Sequence, residues 1–189
     1  MSGTSLPIEE IRGEFLEALK GASPRILLKA PTGSGKSTGI PPMMDDAGLG
    51  ENGLIVVVQP RRMAARLLAR HVARLRGSEL GREVGYMVRF ERHISSRTRI
   101  AYVTDGVLER WLTDRPCLEG VSAVVFDEFH ERSLSGDLSL GRVLDLQEGP
   151  RPDLAVVVMS ATLEMSGLRE YMGESCRELE ALSLIHISE

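Results

Sequence analysis

Residues 25–40 read RILLKAPTGSGKSTGI, and this stretch decides the fold. The first six residues (25–30, RILLKA) have the length and apolar content of a buried strand, and the last few open a helix. Between them lies residues 30–38, APTGSGKST, a P-loop pattern in the strand-to-helix context that gives it structural meaning. Gly33 and Gly35 permit backbone angles that aim successive N–H groups at one phosphate cluster, and the helix N-terminus adds a favourable dipole. Lys36 supplies a point charge for β- and γ-phosphates, and the Ser37 hydroxyl is placed to ligate Mg²⁺. The candidate nucleotide set is therefore Thr32, Gly33, Ser34, Gly35, Lys36, Ser37 and Thr38. Ala30 stands where the strict pattern has its first glycine, which leaves the loop itself intact. The bland alternative is a chance Gly/Ser turn, and GSGKST between a strand and a helix makes that a remote one.

Outward from the P-loop, apolar runs of strand length alternate with helical patterns. The runs are residues 54–58 (LIVVV), 100–103, 121–126 (VSAVVF) and 154–159 (LAVVVM). Such alternation predicts βαβ units around a mostly parallel central sheet, an α/β three-layer sandwich. Helices are expected over residues 62–76, 104–113 and 138–146. In the first, Met63, Leu67, Leu68 and Val72 are expected on the buried face, with arginines opposite. Residues 8–19 carry apolar side chains at Ile8, Ile11, Phe15, Leu16 and Leu19, the spacing of an amphipathic helix packed on the domain.

Open α/β sheets bind ligands beyond the carboxyl ends of their strands, and the remaining motifs sit at such ends. DEFH, residues 127–130, follows VSAVVF directly. Asp127 is the candidate Mg²⁺ ligand, Glu128 the group that orients and deprotonates an attacking water, and His130 the link from the nucleotide to the rest of the domain. An acidic pair at a strand end is weak alone, since solvated turn carboxylates are common; about ninety residues after a P-loop it gains weight. SAT, residues 160–162, follows LAVVVM, where Ser160 and Thr162 alone would read as helix caps.

Composition sets limits. The 189 residues are 42% hydrophobic and 26% charged, the balance of a globular domain, and the net charge of −4 gives no overall basic excess for nucleic acid. Six arginines, Arg61, Arg62, Arg66, Arg70, Arg74 and Arg76, nevertheless fall within sixteen residues. In isolation they read as a solvated helix face. Cys117 and Cys176 have no metal or redox spacing, the N-terminus has no basic start with an apolar run, and no window reaches a bilayer-spanning length. A reduced, cytoplasmic setting without a membrane is the expectation.

Taken in order, APTGSGKST, QPRRMAA, TDGVL, DEFHERS and MSATLE resemble motifs I, Ia, Ib, II and III of superfamily 2 helicases of the DEAH/DExH branch. The DEFHERSL run and GYMVRFE (residues 85–91) are similar to the bacterial HrpB type, with Phe129 in place of the family's usual alanine. The likeness covers residues 25–164. It implies a RecA-like P-loop NTPase fold, ATP (with other nucleoside triphosphates an open alternative) and Mg²⁺, and single-stranded RNA as partner, with DNA left open. Arg61, Arg62, Thr104, Asp105 and Gly106 would then hold the sugar-phosphate backbone without reading bases. Ser160 and Thr162 would hydrogen-bond near His130 and couple hydrolysis to strand separation. Arg70, Arg74 and Arg76 are expected to stay solvated.

The resemblance also implies a second RecA-like domain whose arginine fingers complete the γ-phosphate site. No QRxGRxGR-like pattern follows Thr162. The expected organisation is an N-terminal helix (1–22), the RecA-like domain (23–175) and a truncated tail (176–189). Residues 182–189, LSLIHISE, also match one translation of a sequencing-adapter end, so they are set aside from fold reasoning. Two other functions remain open: a nucleotide-binding scaffold without catalysis, and a P-loop ATPase acting on something other than nucleic acid. Intact Lys36, Asp127 and Glu128 weigh against the first, and the PRR and TDG motifs against the second.

Overall fold

Apolar runs too long to alternate in and out of water must be buried on both faces, and this is what the strands do. The computed structural model describes residues 7–161 and 166–181. The expected strands are all present: β1 (Arg25–Lys29), β2 (Leu54–Gln59), β5 (Ile100–Thr104), β6 (Val121–Phe126) and β7 (Ala155–Ser160). Three more were not foreseen: β3 (Val84–Val88), β4 (Glu91–His93) and β8 (Arg177–Glu180). Together they form one eight-stranded sheet in the order β4-β3-β5-β2-β6-β7-β1-β8. All pairings are parallel except the β3–β4 hairpin.

The middle residues of the five expected strands are wholly buried, among them Leu27, Val57, Tyr102, Val124 and Val157. Each large apolar side chain so buried contributes about 1.5–3 kcal/mol. Alternate residues face alternate layers. One layer holds α1 (Pro7–Glu10), α2 (Arg12–Leu19), α3 (Lys36–Asp46) and α5 (Arg62–Leu75), packed on Ile26, Leu28, Ile55 and Val57. The other holds α6 (Asp105–Asp114), α7 (Leu134–Glu148) and α8 (Ser166–Met172), packed on Leu27, Val56, Val58 and Val124. A short helix, α4 (Leu49–Asn52), leads into β2.

The N-terminal segment packs as expected through Ile8, Ile11, Phe15 and Leu19, with Leu16 at its edge, but as two helices broken at Ile11. The face of α5 is a correction. Ala65, Ala69, Val72 and Ala73 are buried, whereas Met63 and Leu67 are 59% and 56% exposed; Leu68 only borders the core. The alanines recur at helical spacing and let the helix backbone lie close on the sheet, so the larger residues are turned outward. Arg76 is a second correction. It is not solvated but ion-paired with Asp45 and Asp46 at 2.7 and 3.0 Å, beside Arg99, which also reaches Asp45. Finally, the sheet runs past residue 175: β8 pairs with β1, placing Leu179 opposite Leu28. Residues 182–189 lie outside the described residues.

Candidate functional site

Because β1, β2, β5, β6 and β7 are parallel, the segments after them emerge along one edge of the sheet. The P-loop follows β1, QPRR β2, TDG β5, DEFH β6 and SAT β7. In the P-loop, Gly33 and Gly35 take φ of 82° and 86°, the left-handed region that favours glycine, and the Ser34 N–H donates to Pro31 O at 3.2 Å. Gly35 caps α3, so Lys36 and Ser37 occupy its first turn.

Lys36 is buried, and its Nζ lies 2.9 Å from Glu128 Oε1. Glu128 Oε2 lies 3.2 Å from His130 Nε2, and His130 Nδ1 accepts the Ala161 N–H at 3.3 Å. An imidazole nitrogen that accepts from a backbone N–H carries no proton, so Nε2 bears it and donates to Glu128. His130 thus joins the acidic box to the SAT segment, through the backbone of Ala161. Ser160 is buried, and its carbonyl accepts the Ala30 N–H at 3.0 Å. Thr162 lies outside the described residues. Glu128 itself takes φ 50°, ψ 36°, a left-handed conformation costing about 1–3 kcal/mol in a non-glycine residue, as found at functional sites.

Asp127 is buried beside it. Its Oδ1 accepts the Glu128 N–H at 2.9 Å, its Oδ2 accepts from the Gln59 side-chain amide, and the Ser37 hydroxyl lies close by. Burial pushes the Asp127 carboxyl above its ordinary range, against the lowering effect of the Ser37 and Gln59 donors. Gln59 was missed in the sequence, where it reads as the polar end of an apolar strand. Its neighbour Val58 pairs with Phe126, so Gln59 falls beside Asp127. Tyr102 was missed as well. Pro41 has no N–H to close the α3 bond to the Ser37 carbonyl, and the Tyr102 hydroxyl fills that role at 2.8 Å. Signals existed for both: a glutamine at a strand end, and a proline four residues after Ser37.

Replacing Gln59 by leucine removes a donor from a buried carboxylate and is expected to cost about 1–3 kcal/mol at neutral pH. The folded-state pKa is raised, so protonation of Asp127 stabilises the fold as pH falls through that pKa, and the lost donor then matters less. Urea denaturation at neutral pH and near pH 5 should therefore show the cost shrinking on acidification. A cost that grows on acidification would contradict it.

The candidate nucleic-acid residues lie beside the same loop. Arg61 is 72% exposed on its side chain and pairs with Glu131, while Arg62 opens α5 and is exposed. Thr104 precedes α6 in extended conformation, Gly106 is exposed with open space at its Cα, and Asp105 Oδ2 accepts the Ser133 hydroxyl at 3.0 Å. Burial raises the Asp105 carboxyl as well, opposed by that hydrogen bond. The structure thus gathers the candidates that fall among the described residues along one edge.

A P-loop and an acidic strand end on one parallel sheet, with three-layer packing, define a RecA-like nucleotide-binding domain. The DEAD/DEAH box helicase model matches residues 10–171, and the chain belongs to that family. It is similar to the ATP-dependent RNA helicase HrpB of Escherichia coli, at 45% identity over 172 residues, which cover 91% of this chain and 21% of that protein. A probable ATP-dependent RNA helicase of Saccharomyces cerevisiae, DHR2, is 42% identical over 173 residues, 90% of this chain and 23% of that one. A crystal structure of the Escherichia coli DExH-box NTPase HrpB superposes with a TM-score of 0.88 at 42% identity, covering 96% of this chain and 22% of that one. The chain therefore spans about a fifth of the length of these relatives. Among the described residues, no helix is long and apolar enough to cross a membrane.

Proposed function

We propose that this chain is the first motor domain of an ATP-dependent RNA helicase of the DEAH type. The observation that carries the reading is the chain of contacts from Lys36 through Glu128 to His130, beside a buried Asp127. ATP phosphates arriving at the P-loop would replace Glu128 as the counter-ion of Lys36. That leaves the Glu128 carboxylate free to take a proton from the attacking water, held in place by the Nε2–H of His130.

The donors beside the P-loop suit Mg²⁺. Ser37 and Asp127 offer hard oxygens close to one another, and among the described residues no group of three or more His, Cys, Asp and Glu forms a protein cage. Mg²⁺ favours such a site, taking one or two protein oxygens with the remainder from phosphates and water. When bound it would neutralise charge developing on the phosphates. The Thr32, Gly33, Ser34, Gly35 and Thr38 backbone would cradle the phosphates, with nucleoside triphosphates other than ATP also accommodated.

Arg61, Arg62, Thr104, Asp105 and Gly106 would hold the backbone of single-stranded RNA, or of DNA, because their donors address phosphate and sugar rather than base edges. Ser160 and Thr162 would couple the two sites through His130. A second RecA-like domain in the parent protein would close over the nucleotide. The free thiols Cys117 and Cys176 suit a reducing, cytoplasmic compartment. Titration of ATP into the chain is expected to give Mg²⁺-dependent binding that Lys36→Ala weakens at least about tenfold, since a charge-assisted contact is worth about 1.5–3 kcal/mol. Equal affinity in the variant would refute the nucleotide assignment.

A further inference from the structure

The acidic loop that carries Glu128 is tied to both candidate RNA motifs. Glu131 Oε2 accepts from Arg61 Nε at 3.1 Å, and Glu131 Oε1 lies 3.0 Å from Arg61 Nη2. At the loop's far end the Ser133 hydroxyl donates to Asp105 while accepting the Gly136 N–H that caps α7. A guanidinium has five N–H donors, and Glu131 occupies only the Nε/Nη2 side. The Nη1 donors and the second Nη2 donor remain, on a side chain that is largely exposed. Arg61 is thus able to hold Glu131 and a phosphate together. An exposed pair of this kind contributes little to stability, so its value lies in orientation.

Glu131 is in turn joined to the backbone of Glu128, the residue that carries the catalytic carboxylate. Its N–H donates to Glu128 O at 2.9 Å, closing the 3-10 turn Phe129–Glu131. That turn is bracketed by two non-glycine residues at positive φ, Glu128 at 50° and Arg132 at 26°. Non-glycine residues held at positive φ store strain, and such positions cluster at active sites and switch regions. A continuous run of contacts therefore leads from Arg61 through Glu131 and Glu128 to Lys36.

We propose that Glu131 is a positioning residue that transmits RNA occupancy of Arg61 to Glu128, so that a phosphate on the open side of the guanidinium resets the hydrolytic carboxylate. The proposal rests on the RNA-binding reading of Arg61 given above. Spatial continuity alone does not establish coupling, so the test is a double-mutant cycle. ATP hydrolysis by the parent protein is measured with and without unstructured poly-uridylate, for the wild type, Glu131→Gln, Arg61→Ala and the double variant. RNA affinity is measured in parallel by anisotropy.

Glu131→Gln is expected to keep RNA-free turnover within about twofold and to lose RNA stimulation by about fivefold or more, the usual scale of coupling between sites. On the Arg61→Ala background it should add nothing further. Full stimulation in Glu131→Gln, equal loss with and without RNA, or additive effects in the double variant would each overturn the proposal. RNA affinity untouched by Arg61→Ala would instead remove the RNA reading of Arg61, and the proposal with it.

Discussion

Replacing Glu128 by glutamine is expected to lower ATP turnover in the parent protein by about 10²- to 10⁴-fold, the usual contribution of a positioned general base. Binding should survive. Glutamine keeps the size of the side chain and its reach toward His130, but it removes the negative charge that competes with phosphate for Lys36. Asp127, with its own donors in Gln59 and the Glu128 N–H, is left in place as the proposed metal ligand. The expected signature is therefore a collapse of kcat with unchanged or tighter ATP affinity. Turnover within tenfold of wild type would exclude Glu128 as the base. Loss of affinity in step with turnover would point to a purely structural role.

A second large effect is expected from the chain by itself. Among the described residues only two lysine or arginine side chains are buried, Lys36 and Arg25. Arg25 begins β1, at the opposite end of the strand from the P-loop, where it holds Gln147, Glu148 and the Met172 carbonyl. The site thus has one enclosed cation to meet the charge that develops on the γ-phosphate. Arginine fingers from a second domain supply the rest in the proposed parent, at about 10³- to 10⁵-fold in rate. The 189-residue chain should bind Mg-ATP weakly and turn it over slower than the parent by a factor of that order, without separating strands. Single-turnover hydrolysis at saturating ATP measures this, and parity between chain and parent would contradict it.

The core of this domain was written in continuous apolar runs. RILLK, LIVVVQ, VSAVVF and AVVVMS are buried on both faces, and only a parallel sheet covered by helices on each side satisfies such segments. Two of the strands that escaped notice, β4 and β8, lie at the sheet edges, where burial is incomplete and polar residues are admitted; the third, β3, is an inner strand and largely buried. RELE buries only Leu179, and ERH is exposed or half-buried throughout. The buried face of α5 was misread because size was taken as the signal. Alanines at 65, 69 and 73 buy closeness to the sheet, and Met63 and Leu67 are left outside.

In the site, the groups proposed to meet phosphate were legible because their chemistry dictates residue type and spacing. The groups that hold those groups were not. Gln59, Tyr102 and Glu131 act through partners 68, 65 and 70 residues away in sequence. Each contact depends on strand register or loop path, which composition and periodicity do not specify. The proline in α3 is the exception: a missing N–H always leaves a carbonyl seeking a donor, and Ser37 found one in Tyr102.

Steady-state ATP hydrolysis by the parent protein, with and without single-stranded RNA, decides between an RNA-driven motor and an ATPase serving some other partner. Turnover is expected to rise with RNA, and to lose most of that rise in an Arg61→Ala, Arg62→Ala double variant whose RNA-free rate is unchanged. Intact ATP hydrolysis that is indifferent to RNA would contradict the helicase assignment and leave only the nucleotide site standing.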